Sequence, residues 1–177
     1  MLHSPAFVLT LMICAGISIG TARAEIRPEK VFSAGLTKTD AYVRDGLITG
    51  GDRAVSEVVI KDIRRASNSG YERIVIDLEG NRNGEPVAIE RAPYFQVSIT
   101  PDEKRLVVTL FGKPKLGFDP QKVLAAFKKS AVIERIVLLP ALDEGSWTFS
   151  LELKSGRPVE VFELASPVRL IMDIRSH

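Results

Sequence analysis

Arg73-Ile-Val-Ile-Asp-Leu78, Arg105-Leu-Val-Val-Thr-Leu110 and Arg169-Leu-Ile-Met-Asp-Ile174 are three copies of one six-residue pattern. Each copy is too short and too rich in β-branched residues for a helix, so each is predicted to be a strand. Successive side chains of a strand point to opposite faces. One face of each copy is then wholly aliphatic: Ile74, Ile76 and Leu78; Leu106, Val108 and Leu110; Leu170, Met172 and Ile174. The other face carries Arg, an exposed aliphatic residue (Val75, Val107 or Ile171) and then Asp77, Thr109 or Asp173. A looser copy, Arg135-Ile-Val-Leu-Leu139, keeps the Arg and the aliphatics without the acid. The chain reuses one sheet-forming unit.

Around these copies the strand signals are dense from Val55 onward. Before the helix, strands are predicted over 55–65, 71–79, 86–90, extending through 94–99 past Pro93, and 104–111. Asn68-Ser-Gly70 and the cluster 80–84 supply turns. Asp119-Pro120 announces a helix, because Asp is a favoured N-cap and Pro suits the first helical position. Val123, Leu124 and Phe127 give it an apolar stripe, and the helix is expected near 119–129. Four more strands follow, over 132–139, 146–153, 158–164 and 168–174. The segments around 85–90, Pro93 and Arg105 resemble those around 157–162, Pro167 and Arg169. The expected fold is therefore mainly β. It is a sandwich of two four-stranded antiparallel sheets from an internal duplication, one half per sheet, joined by the helix.

The N-terminus has the layout of a secretory signal peptide. Phe7 to Gly20 is apolar, and Thr21-Ala22-Arg23-Ala24 has alanines at the −3 and −1 positions of a cut after Ala24. The apolar run is shorter than the ~20 residues that span a bilayer, so no transmembrane anchor is expected after cleavage. Residues 25–54 lack a sustained period and are expected to be a flexible arm, with the domain over 55–177. The chain has 24 basic and 22 acidic residues, and the leader contains Arg23 and no acid. That near-neutral balance gives no basic stripe for nucleic acid. The one cysteine, Cys14, also lies in the leader, and a bacterial periplasm permits disulfides without requiring them.

The inventory for catalysis is thin. His3 goes with the leader and His177 is terminal, which removes the ligands of a usual zinc site and the base of a Ser-His or Cys-His nucleophile. No cofactor and no enzymatic activity are expected. Asp102-Glu103 and Asp143-Glu144 are either a glycosidase-type carboxylate pair or, on the simpler reading, solvated turn acids. The glycines at 46, 50 and 51 lack the strand-before, helix-after setting of a phosphate loop. Trp147 alternates in phase with Phe149, Leu151 and Leu153 and is expected in the core.

This leaves the arginine-bearing side of the motif strands. Arg and Asp four apart on one strand are ~13 Å apart and cannot pair within it, but they can pair across strands. Arg73, Asp77, Arg105, Arg169 and Asp173 are therefore either a cross-strand charge ladder or a flat polar binding face.

Tyr71-Glu-Arg-Ile-Val-Ile-Asp-Leu, Pro101-Asp-Glu-Lys-Arg-Leu-Val-Val, Val132-Ile-Glu-Arg-Ile-Val and the closing Phe162-Glu-Leu-Ala-Ser-Pro-Val-Arg-Leu-Ile-Met-Asp-Ile resemble the AMIN domain. That domain is the non-catalytic N-terminal module of periplasmic N-acetylmuramoyl-L-alanine amidases and pilus secretins. The resemblance covers about 57–175, and Thr109 stands where the family usually has Asp. It implies a sandwich of two symmetric sheets in a bacterial periplasmic protein that binds peptidoglycan or another component of the cell envelope. An alternative expectation is a protein–protein adaptor in an envelope assembly such as a pilus or secretion machine, using a sheet edge or the 25–54 arm.

Overall fold

A computed structural model describes residues 30–141 and 144–177. The expected signal peptide over 1–24, the expected cut after Ala24 and Asp143 lie outside the described residues. The described chain is mainly β. In order it forms β1 (Val31–Ser33), β2 (Gly46–Gly50), β3 (Val58–Asn68), β4 (Tyr71–Arg82), β5 (Glu85–Val87), β6 (Phe95–Thr100), β7 (Arg105–Phe111) and β8 (Lys115–Leu116). There follow the helix α1 (Pro120–Phe127), β9 (Ile133–Leu138), β10 (Ser146–Leu153), β11 (Val159–Leu164) and β12 (Arg169–Arg175). Asp119 caps α1 through its side chain, which accepts from Gln121 N, with Pro120 behind it as the sequence predicts.

The strands form two six-stranded mixed sheets, not two four-stranded antiparallel ones. The first runs β1-β2-β6-β7-β10-β9, and the second β11-β12-β4-β3-β8 with β5 paired to β4. All pairings are antiparallel except β1 with β2 and β3 with β8. Each half of the chain is divided between the sheets, so β7 pairs with β10 and β4 with β12. The reason is the 88–94 connection. It carries the chain from β5, in the second sheet, to β6, in the first, with Ala92 and Pro93 buried in passing. The expected extension of one strand from 86 through 99 is thus two strands in different sheets.

The aliphatic faces of the motif strands all point into one core shared by both sheets. Ile74, Ile76, Leu78, Leu106, Val108, Leu110, Leu170, Met172 and Ile174 are buried there with Trp147, which is 2% exposed. Val123 and Phe127 dock the helix onto the same core. Burial of this order, at roughly 25 cal/mol per Å² of apolar surface, is what offsets chain entropy in a domain whose described residues contain no cysteine.

The segment expected to be a flexible arm is structured from residue 30 onward. It provides β1 and β2, and between them 34–45 crosses to the free edge of β11. There Gly35 bridges Phe162, and Val43 exchanges two backbone hydrogen bonds with Val159 at 2.8 Å each. Only Ile48 of β2 faces the core, too little alternation to declare a strand in sequence. Gly51 then turns at φ +80°, where an added Cβ would meet Pro93 O at 2.1 Å, so the position demands glycine.

Candidate functional site

Four of the five expected site residues lie on the outer face of the second sheet. Register explains why: Arg73 is opposite Asp173 and Arg169 is opposite Asp77 across β4 and β12. Read across the strands, the face has three rows. Glu160, Asp173 and Arg73 form one charged row; Phe162, Ile171, Val75 and Arg64 form the middle one; Leu164, Arg169 and Asp77 form the third. Arg105 stands apart, on the outer face of the first sheet, 3.2 Å from Glu103 in a solvated ion pair. The five residues are therefore not one surface.

The middle row corrects another expectation. Val75 and Ile171 are not exposed but form a small buried cluster with Phe162, flanked by Leu164. The Arg73 guanidinium lies 5.5 Å over the Phe162 ring and 5.3 Å over that of Tyr71, so its cation covers aromatic surface while its nitrogens bond elsewhere. Arg73 donates through Nε and Nη2 to the two oxygens of Asp173, at 2.7 and 2.8 Å. Asp173 is fully buried. This bidentate pair raises the Arg73 pKa, against the opposing effect of burial.

From the middle row Arg64 reaches Asp77 of the third and donates two hydrogen bonds to it, at 2.6 and 2.9 Å. Arg169 Nε lies 3.2 Å from Asp77 Oδ1, close enough for attraction but outside hydrogen-bond geometry, and it has no hydrogen-bond partner. Beside Asp77 is a groove of about 530 Å³ whose floor includes Val87, Ile89, Pro167 and Val168.

β11 supplies two acids that sequence reading passed over. Glu160 accepts from the Thr39 N–H (2.6 Å), the Thr39 hydroxyl (3.1 Å) and Lys38 Nζ (3.3 Å), so it pins the crossing segment to the second sheet. Lys38 also bonds Asp40 and lies 3.8 Å from Asp173. Glu163 accepts from Arg91 twice, at 2.6 and 3.0 Å, and from the backbone of Gly51 (2.9 Å) and Ala92 (3.1 Å). One signal was available: Glu163 shares the parity of the buried Val159 and Val161, and a core-phase acid needs partners. Glu72 is in the same position, in phase with Ile74 and Ile76, and accepts from the Ser130 hydroxyl at 2.7 Å.

Burial pushes the Glu160 carboxyl up, but the Thr39 N–H, Lys38 and the Thr39 hydroxyl outweigh it and hold the pKa below the usual carboxylate range. A carboxylate lowered on folding stabilises above its unfolded pKa, and that contribution is lost as pH falls through the folded value. Stability should therefore fall with acidification below about pH 4.3, the ordinary glutamate value. Glu160→Gln should flatten that decline when thermal midpoints are followed across the acid range. An unchanged slope would show that Glu160 carries no such linkage.

Trp147 is core, and its indole N–H donates to Leu139 O at 2.9 Å. Asp102, Glu103 and Glu144 are exposed. Among the described residues no group of three or more His, Cys, Asp or Glu side chains is placed to hold a metal ion, and no helix is long and apolar enough to cross a membrane. In comparisons with known proteins, no family model and no curated sequence matches this chain.

Proposed function

We propose that this chain is a periplasmic, non-enzymatic module that binds peptidoglycan and localises to the cell envelope, in the manner of the AMIN domains it resembles. The observation that carries the reading is Arg169. Its side chain is about one-third exposed on a sheet face, its buried Nε has no hydrogen-bond partner, and its neighbours Asp77 and Val168 line a groove of mixed apolar and charged character. A planar guanidinium with unspent donors is suited to a carboxylate, and peptidoglycan stem peptides combine carboxylates with short alkyl side chains. Arg73 is the weaker candidate, since its Nε and Nη2 are committed to Asp173.

The paired registers favour the duplication reading as well. Arg105 opposes Glu152 as Arg169 opposes Asp77, and Leu106 opposes Leu151 as Leu170 opposes Ile76. On this reading each ancestral four-stranded unit gives one hairpin to each sheet.

Purified sacculi should pellet the protein above the level of a control protein. Arg64→Ala with Arg169→Ala should weaken pelleting by about tenfold, the scale of a lost charge-assisted contact. Arg105→Ala, on the other sheet, should leave it unchanged. Absence of pelleting by the unaltered protein overturns the reading.

The adaptor reading has its own support in the β1 edge. On its outer side β1 has no strand partner among the described residues, and Val31, Phe32 and Leu36 are 43%, 38% and 59% exposed. An apolar unpaired edge is suited to strand addition by another protein. Capture of envelope proteins that persists after peptidoglycan digestion, and is lost with Phe32→Lys, would favour it.

A further inference from the structure

The outer face of the first sheet has a different chemistry from that of the second. Register aligns Thr49, Gln96, Thr109 and Thr148 in one row across four strands, with the last two hydroxyls 3.0 Å apart. Neighbouring strands are about 4.8 Å apart, so this row presents regularly spaced donors and acceptors. Beside Gln96 is an open cleft of about 340 Å³ lined by Arg53, Tyr94 and Phe111. The Tyr94 and Phe111 rings have centroids 5.3 Å apart, and Gln96 Nε2 donates to Tyr94 Oη at 3.1 Å. The Arg53 guanidinium carbon stands 4.1 Å over the Tyr94 ring, and these two residues also line a second depression.

Arg53 is the cation of this cleft. Arg64, Arg73, Arg91 and Arg135 are each bonded to a carboxylate, whereas the exposed Arg53 makes no ion pair among the described residues. It is an exposed cation stacked on Tyr94 in the lining of an aromatic cleft, with an amide and a line of hydroxyls alongside.

We infer that this cleft binds a saccharide unit bearing a carboxylate, with the adjoining sugar lying along the hydroxyl row. Aromatic rings accept the C–H face of a pyranose, while a few placed polar groups fix its orientation. Gln96 and the threonine hydroxyls match sugar hydroxyls in both donor and acceptor sense. The unpaired guanidinium selects the carboxylate. The identity of that saccharide as a cell-wall amino sugar rests on the peptidoglycan reading; the cleft and its chemistry do not.

The test uses two probes, the N-acetylglucosaminyl–N-acetylmuramic acid disaccharide, which carries a carboxylate, and neutral di-N-acetylchitobiose. Calorimetry and amide NMR shifts of the whole protein are the readouts. The acidic disaccharide should bind more tightly and shift resonances around Tyr94, Gln96 and Phe111. Arg53→Ala should weaken its binding about tenfold and leave the neutral probe nearly unaffected. Gln96→Ala should weaken both. Shifts confined to another surface, equal binding of the two probes, or an Arg53→Ala variant that binds like the unaltered protein would each overturn the inference. Sacculus pelleting with no disaccharide shifts would overturn this inference alone. Disaccharide binding without pelleting would uphold the cleft and overturn the peptidoglycan reading.

Discussion

Glu163→Ala is expected to lower the free energy of unfolding by about 2–4 kcal/mol, chiefly the cost of leaving backbone donors without their acceptor. The Glu163 side chain is 3% exposed and accepts four hydrogen bonds, two from Arg91 and one each from the Gly51 and Ala92 backbone. Arg91 is 40% exposed and can return to water, so its loss costs little by itself. The buried Ala92 N–H cannot, the partly buried Gly51 N–H can do so only in part, and an orphaned buried donor costs about 1–3 kcal/mol. The damage is also cooperative in place. Glu163 holds the end of β2 and the entry to β6, both in the first sheet, from a strand of the second. Glu163→Gln, which keeps an acceptor, should lose about half as much. Urea unfolding with an unchanged slope and a shifted midpoint would record both effects. A loss below about 1 kcal/mol for Glu163→Ala would mean the site tolerates an unfilled acceptor set.

The second large effect is expected at Arg73. Arg73→Met keeps an unbranched apolar side chain beside Phe162 but strands Asp173, which is fully buried, with only Lys38 at 3.8 Å among the described residues to answer its charge. Removing one partner of a buried pair costs about 3 kcal/mol or more, chiefly because the remaining charge is uncompensated. Adding Asp173→Val to Arg73→Met should therefore recover more than half of the loss, since Phe162 and Ile171 provide apolar neighbours in the adjacent row. The double-mutant cycle isolates the pair term. Strict additivity would show that the two side chains act independently.

These two sites mark the boundary between what was legible in the chain and what was not. Alternation in the Arg–aliphatic–Asp copies determined which residues are core: a period of two admits one buried set, and every aliphatic residue assigned to it is buried. The same local rules determined that the described residues are mainly β with one helix, and where that helix starts, because an Asp N-cap and a Pro act within a single turn. They also carried the expectation that Arg and Asp pair across strands, although not which ones, since the partners of Arg73 and Arg169 are far away in the chain. Sheet membership was a tertiary decision. Two hairpins of similar sequence can form one sheet or be divided between two, and the crossing at 88–94, not strand propensity, separated them. The same holds for 30–54, whose strands have too little alternation to form alone and are held by Glu160 and Glu163 across the molecule. Hydrogen bonds to a buried acid depend on where the chain returns, and a sequence reports the acid long before it reports the donors.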